Sequence, residues 1–139
     1  MQKVILGMQY EPYHSLFAKH FHDFFEVCDT RINSVKELQQ PIMEFEPDII
    51  VFAEKFLDFN GIEDISQEAI NFLKSLPEKI RVCYICSREI DDPFFDDLKE
   101  LGVRDIFYSE EIDIIRIVQQ LKRRANSENV VFYGTPTTN

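Results

Sequence analysis

Ile49-Ile50-Val51-Phe52-Ala53 is an unbroken apolar run of strand-forming residues, set between Pro47-Asp48 and a charged stretch that reaches Asn60-Gly61-Ile62-Glu63. A strand buried on both faces reads this way, because it presents no side to water. Such a strand needs helices packed on each face, which confines the chain to a layered α/β arrangement. In an open parallel sheet the central strand ends at a crevice, and ligands sit just beyond its carboxyl end. Here that end carries Ala53, which has no chemistry to offer.

Other segments fit the same plan. Val4 to Met8 is a second continuous apolar run, so it reads as a further central strand. Tyr10-Glu11-Pro12 turns the chain, and Tyr13 to Phe24 is helical, with Leu16, Phe17, Phe21 and Phe24 on one face. Phe25 to Asp29 alternates apolar with polar, as a half-exposed edge strand does. Asn33 or Ser34 caps a second helix through Val35, Leu38, Ile42 and Phe45, which Pro41 is expected to kink or break. Ser66 is the expected cap of a third helix, with Ala69, Ile70, Phe72, Leu73 and Leu76 on its buried face. Ile80 to Cys86 is the fourth strand. Asp91-Asp92-Pro93 opens the fourth helix, and Gly102 is its left-handed stop. Asp105 to Tyr108 is a short fifth strand. In the last helix, residues 111–125, Ile112, Ile115, Val118 and Leu121 form one stripe, and acids at the start and Lys122-Arg123-Arg124 at the end match the helix dipole.

Five β-α repeats with short connections imply a single doubly wound, five-stranded parallel sheet with helices on both faces. The second strand alternates and the fifth is short, so both suit edges. The strand order is therefore 2-1-3-4-5, a flavodoxin-like α/β fold. This domain spans residues 1–126. Residues 127–139, with the apolar patch Val130-Val131-Phe132-Tyr133 and a polar end, read as a tail or linker toward a further C-terminal region.

Composition narrows the function. The 139 residues suffice for one domain with a real core. A net charge of −10 argues against direct nucleic-acid binding, which uses Lys and Arg on phosphates. No run approaches the roughly 18 apolar residues of a membrane span. The N-terminus lacks the pattern of a signal peptide, so a cytoplasmic protein is expected. Cys28, Cys83 and Cys86 read as buried free thiols. Cys83-Tyr84-Ile85-Cys86 spells C-x-x-C, but it lies inside a strand, where positions three apart face opposite ways, so a redox or metal role is not expected. His14, His20 and His22 lack the spacing of four that a zinc pair on a helix uses, and read as surface or partner-facing.

Motifs decide among users of this fold. The first strand is followed by Met8-Gln9-Tyr10-Glu11-Pro12, not by a dinucleotide fingerprint, a P-loop or a Ser/Thr-rich phosphate loop. By contrast, residues 47–53 followed by Asn60-Gly61-Ile62-Glu63 resemble the region around the phosphorylated aspartate of response-regulator receiver domains. Leu101-Gly102-Val103-Arg104-Asp105-Ile106-Phe107 is similar to the Gly-Ala-x-Asp-Tyr-Leu segment ahead of the receiver's lysine. The likeness runs over about residues 3–125.

The resemblance implies a site of five groups: two acids that hold Mg²⁺ with the acceptor aspartate, a Thr or Ser, and a Lys that bind the phosphoryl oxygens. The acidic pair falls on Met8 and Gln9, the acceptor on Ala53, the hydroxyl on Cys86 and the lysine on Ser109. Every position is neutral, so the resemblance implies a degenerate pseudo-receiver with no catalytic residues, no metal and no cofactor. It implies a regulatory, protein-binding module of a bacterial signalling protein, or the front of a MinD/ParA-type ATPase. The surface of helix 4, strand 5 and helix 5 is then the expected docking or homodimer face, with Phe94, Phe95, Tyr108, Ile114 and Ile117 exposed on it. The alternative is a small-molecule sensor or enzyme that reuses the neutral crevice at the ends of strands 1 and 3.

Overall fold

The structure, a computed structural model, describes residues 1–9, 11–28, 32, 34–89, 91–123 and 131–133, with residues 111 and 131–133 described by their backbone alone. Strands β1 (Lys3–Gly7), β2 (Glu26–Val27), β3 (Ile49–Ala53), β4 (Arg81–Cys86), β5 (Asp105–Tyr108) and β6 (Val131–Tyr133) form one parallel sheet in the order β2-β1-β3-β4-β5-β6. The order 2-1-3-4-5 is the expected one. The count is larger by one, because the backbone of residues 131–133 pairs with β5 and adds a sixth strand. A run of four apolar residues, 130–133, cannot be assigned to a strand by periodicity alone.

Helices α1 (Glu11–Phe21), α2 (Gln39–Phe45), α3 (Ile65–Lys74), α4 (Phe94–Glu100) and α5 (Ile114–Lys122) cover both faces. One face buries Ile5, Ile50, Phe52, Tyr84, Ile106 and their neighbours against α2, α3 and α4. The other buries Val4, Leu6, Val51, Ala53, Cys83 and Ile85 against α1 and α5. The three central strands β1, β3 and β4 are therefore buried on both sides, as their continuous apolar sequences require. Full burial of each such side chain contributes about 1.5–3 kcal/mol. Gly7 has no substitute here, because a Cβ on it would lie 2.9 Å from the Val51 carbonyl oxygen of the paired strand.

Local chemistry sets the helix ends. Asp64, not Ser66, caps α3, accepting the Gln67 N–H at 3.0 Å. Asp113 caps α5 by accepting from Ile115 and Arg116. Pro41 does not break α2. It is the third residue of that helix, where its missing N–H is not needed, and the preceding turn, Val35–Leu38, is a 3-10 helix. Ser34 makes no side-chain cap there, and Asn33 lies outside the described residues. Gly102 takes the expected left-handed conformation, φ +81°, just after α4.

Candidate functional site

The carboxyl edge of the sheet is where the fold would hold chemistry. β1 delivers Met8, β3 ends at Ala53, β4 at Cys86, and β5 leads into Ser109. Met8 and Ala53 are fully buried and share the face covered by α1 and α5. Cys86 is also buried, but on the opposite face with Tyr84 and Phe94. Gln9 is exposed, and Ser109 is half-buried with its Oγ enclosed. The five positions therefore do not line one neutral pocket. Alternation along β3 and β4 splits them between the two faces.

Cys83 and Cys86 likewise point to opposite sides of the sheet, as free thiols. Burial pushes the Cys86 thiol up to about 11, with the Glu54 carboxylate adding to the effect, and pushes Cys83 well above its ordinary value with help from Asp105. Neither is a reactive thiolate at neutral pH.

The crevice is closed by groups that local sequence patterns do not reveal. The Gln9 N–H donates to the Phe56 carbonyl at 2.6 Å, joining the loops after β1 and β3. The Phe56 ring then lies 4.3 Å from that of Tyr13 on α1. Lys55 reaches Glu110 at 3.1 Å, joining the loops after β3 and β5.

The strongest tie is between the loops after β3 and β4. Arg88 donates from Nη2 and Nε to the Glu54 carboxylate at 2.7 and 3.2 Å, and from Nη1 to Ser66 Oγ at 2.7 Å. Asp92 lies 3.7 Å from Nη1, and the guanidinium stacks 3.8 Å above the Phe94 ring. The buried Tyr84 hydroxyl donates to Glu54 at 2.6 Å. Burial alone would lower the Arg88 pKa, but the hydrogen bonds and charge of Glu54 outweigh it and hold the pKa above normal. Burial and the Glu54 charge keep the Tyr84 phenol protonated well above its usual range.

This network is satisfied within itself. Each of the three Arg88 nitrogens has an acceptor, and Glu54 accepts from two side chains, so the charges of the cluster are balanced internally. Glu54 faces the Tyr84 side and not the Ala53 side, consistent with strand alternation. A tyrosine in an apolar strand was the available signal, since a buried phenol needs a partner. Among the described residues no group of three His, Cys, Asp or Glu side chains could hold a metal ion. None of five surface depressions on the described residues is lined by Met8, Gln9, Ala53, Cys86 or Ser109.

The expected docking face needs correction. Phe94 and Phe95 are buried, because α4 packs them with Leu98 into the core cluster that holds Tyr84 and Ile106. Ile114 and Ile117 are buried with Val118 and Leu121, and Ile115 is 56% exposed, so the inward stripe of α5 runs 114-117-118-121. Tyr108 is half-buried. On α1, His14 is buried because it shares the inward face with Phe17 and Phe21, whereas Leu16 and Phe24 are exposed. Among the described residues no helix is long and apolar enough to cross a membrane.

No protein-family model matches the sequence, and no curated protein does. Solved structures do match. A CheY-like response regulator receiver domain protein from Methanospirillum hungatei JF-1 aligns with a TM-score of 0.68 at 9% identity, over 88% of this chain and 91% of that one. The signal receiver domain of a LuxO repressor protein from Vibrio parahaemolyticus aligns at 0.64 and 18% identity, over 87% of each chain. A pilus assembly protein (CpaE) from Burkholderia thailandensis aligns at 0.63 and 14% identity, over 88% of this chain and 96% of that one. At these identities the likeness concerns the fold, and the strand order, helix placement and chain coverage agree on it: this chain has the α/β fold of response regulator receiver domains.

Proposed function

We propose that this chain is a cytoplasmic regulatory module of a bacterial signalling protein that takes no phosphoryl group and works by binding protein. The observation that carries the reading is Ala53. It occupies the acceptor position, is fully buried, and has Met8 and Gln9 where metal-binding acids would be needed. Phosphoryl transfer is mostly positioning and charge compensation by a metal, so a site with neither nucleophile nor metal ligands has no route to it. The closed crevice supports the same reading over a small-molecule site. A narrower form of the proposal places the module ahead of a MinD/ParA-type ATPase; a pilus assembly protein is among the structures with this fold.

The test is incubation with Mg²⁺ and acetyl phosphate, followed by intact-mass measurement. The expected mass is unchanged. A stable gain of about 80 Da, one phosphoryl group, overturns the reading.

A further inference from the structure

We propose that the outer edge of β5 is a docking site for an extended segment of a partner protein, which adds a strand there in parallel after displacing the chain's own β6. The inference rests on the reading of the chain as a protein-binding module. It names the edge and the class of segment that the edge takes, an uncharged run of β-branched and aromatic residues longer than β6.

Topology makes β6 displaceable. β1 passes through α1 to β2 in one direction across the sheet, whereas β3 passes through α3 to β4, and β4 through α4 to β5, in the other. α1 covers one face, and α3 and α4 cover the opposite one. Reversing both direction and face preserves the hand, so these units share it, and it is the right-handed sense that about 98% of parallel crossovers take. From β5 to β6 the chain moves in the same direction as from β4 to β5, yet it passes through α5, on the α1 face. That unit is therefore left-handed. A right-twisted strand leads its helix back onto the sheet favourably only in the right-handed sense, so the crossover through α5 works against the seating of residues 131–133.

The edge that β6 covers is open to pairing. Proline, lysine, bulges or inward charges keep native edge strands from pairing with other chains. β5, Asp105-Ile106-Phe107-Tyr108, has no proline or lysine, and its ladder with β4 runs without a bulge. Its one charge is spent on Arg81 and Gln120. β6 covers three positions: Asp105 pairs with Val131, Ile106 with Phe132 and Phe107 with Tyr133. The ladder between β5 and β4 runs one position further, to Tyr108 with Cys86. A longer partner strand takes that position as well, for which this sequence has Gly134 next in line, a poor strand former.

Strand addition draws affinity from main-chain hydrogen bonds and specificity from alternate side chains. The resident segment shows the chemistry that the edge accepts: Val131, Phe132 and Tyr133 are all strong strand formers. Tethered to α5 through residues 123–130, it competes at about millimolar effective concentration. A segment arriving from another protein meets an edge that is mostly filled, and its apparent affinity falls in proportion to the fraction of chains with the edge open.

The test uses the full 139-residue chain and a fluorescent peptide of residues 128–135 in which Gly134→Val lengthens the strand. Anisotropy is expected to show saturable binding, tighter by about fivefold or more to the Phe132→Pro chain, whose own segment can no longer complete its ladder. Placing Phe132→Pro in the peptide instead is expected to abolish binding. On the wild-type chain, hydrogen exchange should show the peptide freeing the amides of residues 131–133 while those of residues 106–108 stay protected, a readout that needs no variant to fold. A peptide that binds neither chain, binds both equally, or binds without freeing residues 131–133 overturns the proposal. So does a concentration-dependent dimer that Phe132→Pro abolishes, because the edge then takes a second copy. Failure of the peptide with unchanged mass after acetyl phosphate sinks the docking site and leaves the phosphorylation-independent reading intact. A phosphoryl adduct sinks that reading and leaves the docking site standing.

Discussion

Ala53 and Arg88 lie close along the same sheet edge, yet they play opposite parts. Ala53 removes a nucleophile on one face of the sheet, and Arg88 closes the other face of the same edge with an ion pair to Glu54. Restoring the carboxylate alone does not restore the chemistry. Ala53→Asp would put a charge among Val51, Ile85 and Met8 with no metal to offset it. The variant is expected to lose about 3 kcal/mol or more of unfolding free energy at neutral pH, from the burial of an unpaired charge. It is also expected to remain unlabelled by acetyl phosphate. The sign with pH follows from a raised folded-state pKa, so the loss shrinks as pH falls toward about 4, where the unfolded carboxyl also protonates. Urea unfolding at neutral and acid pH checks this. Equal losses at both would show that the cost is steric.

At the element scale, α5 is held by its end as much as by its stripe. Arg81, at the start of β4, pairs with the fully buried Asp105 at 2.7 Å and donates to the carbonyls of Gln120, Leu121 and Arg123. The Gln120 carbonyl also accepts the Arg123 N–H at 3.2 Å, and the guanidinium adds a donor to each of these late carbonyls, so one side chain closes the C-terminus of α5 and fixes it to the sheet. Gln120 adds a bond to the same carboxylate at 3.1 Å. Arg81→Ala leaves Asp105 buried and without its counter-ion, at a cost of about 3–5 kcal/mol. Hydrogen exchange should quicken first in the last turn of α5. Arg81→Lys keeps the charge but loses the planar fork, so it should fall between the two. If α5 exchanges no faster than α1 in Arg81→Ala, the tether is not what holds that end.

The whole molecule carries several protons that only burial protects. Burial raises Cys86 from 9.0 to about 11 and Tyr13 from 10.0 to about 12, and moves Cys83 and Tyr84 upward as well. In each case the folded state holds its proton more tightly than the unfolded chain does. The stability this contributes is complete below the unfolded value and is lost as pH climbs through the folded one. Stability should therefore be flat up to about pH 9 and fall between pH 9.0 and about 11 as Cys86 titrates, then further as Tyr13 follows. Unfolding temperature against pH, with thiol reactivity of the native chain in parallel, tests this. Rapid thiol modification at pH 9 in the folded state would contradict it.

Continuous apolar runs at Val4–Leu6, Ile49–Ala53 and Val82–Cys86 determined from sequence alone that three strands are central, and the alternation after Phe25 marked β2 as an edge. Those signals are local, because a strand's burial on both faces is written into every successive residue. The loss of the acceptor at Ala53 was equally legible, since it depends on residue identity and register. Helix orientation was not. Stripes 112-115-118 and 114-117-118-121 on α5 both look apolar, and only docking on the sheet decides that Ile115 faces out while Ile114 and Ile117 face in. The tie between Glu54 and Arg88 spans 34 positions, and the one between Arg81 and Asp105 spans 24. No periodicity couples residues so far apart. The tertiary structure brings them together where neighbouring strands end or begin, and there each buried charge finds its counter-ion because the alternative is to remain unpaired in the core.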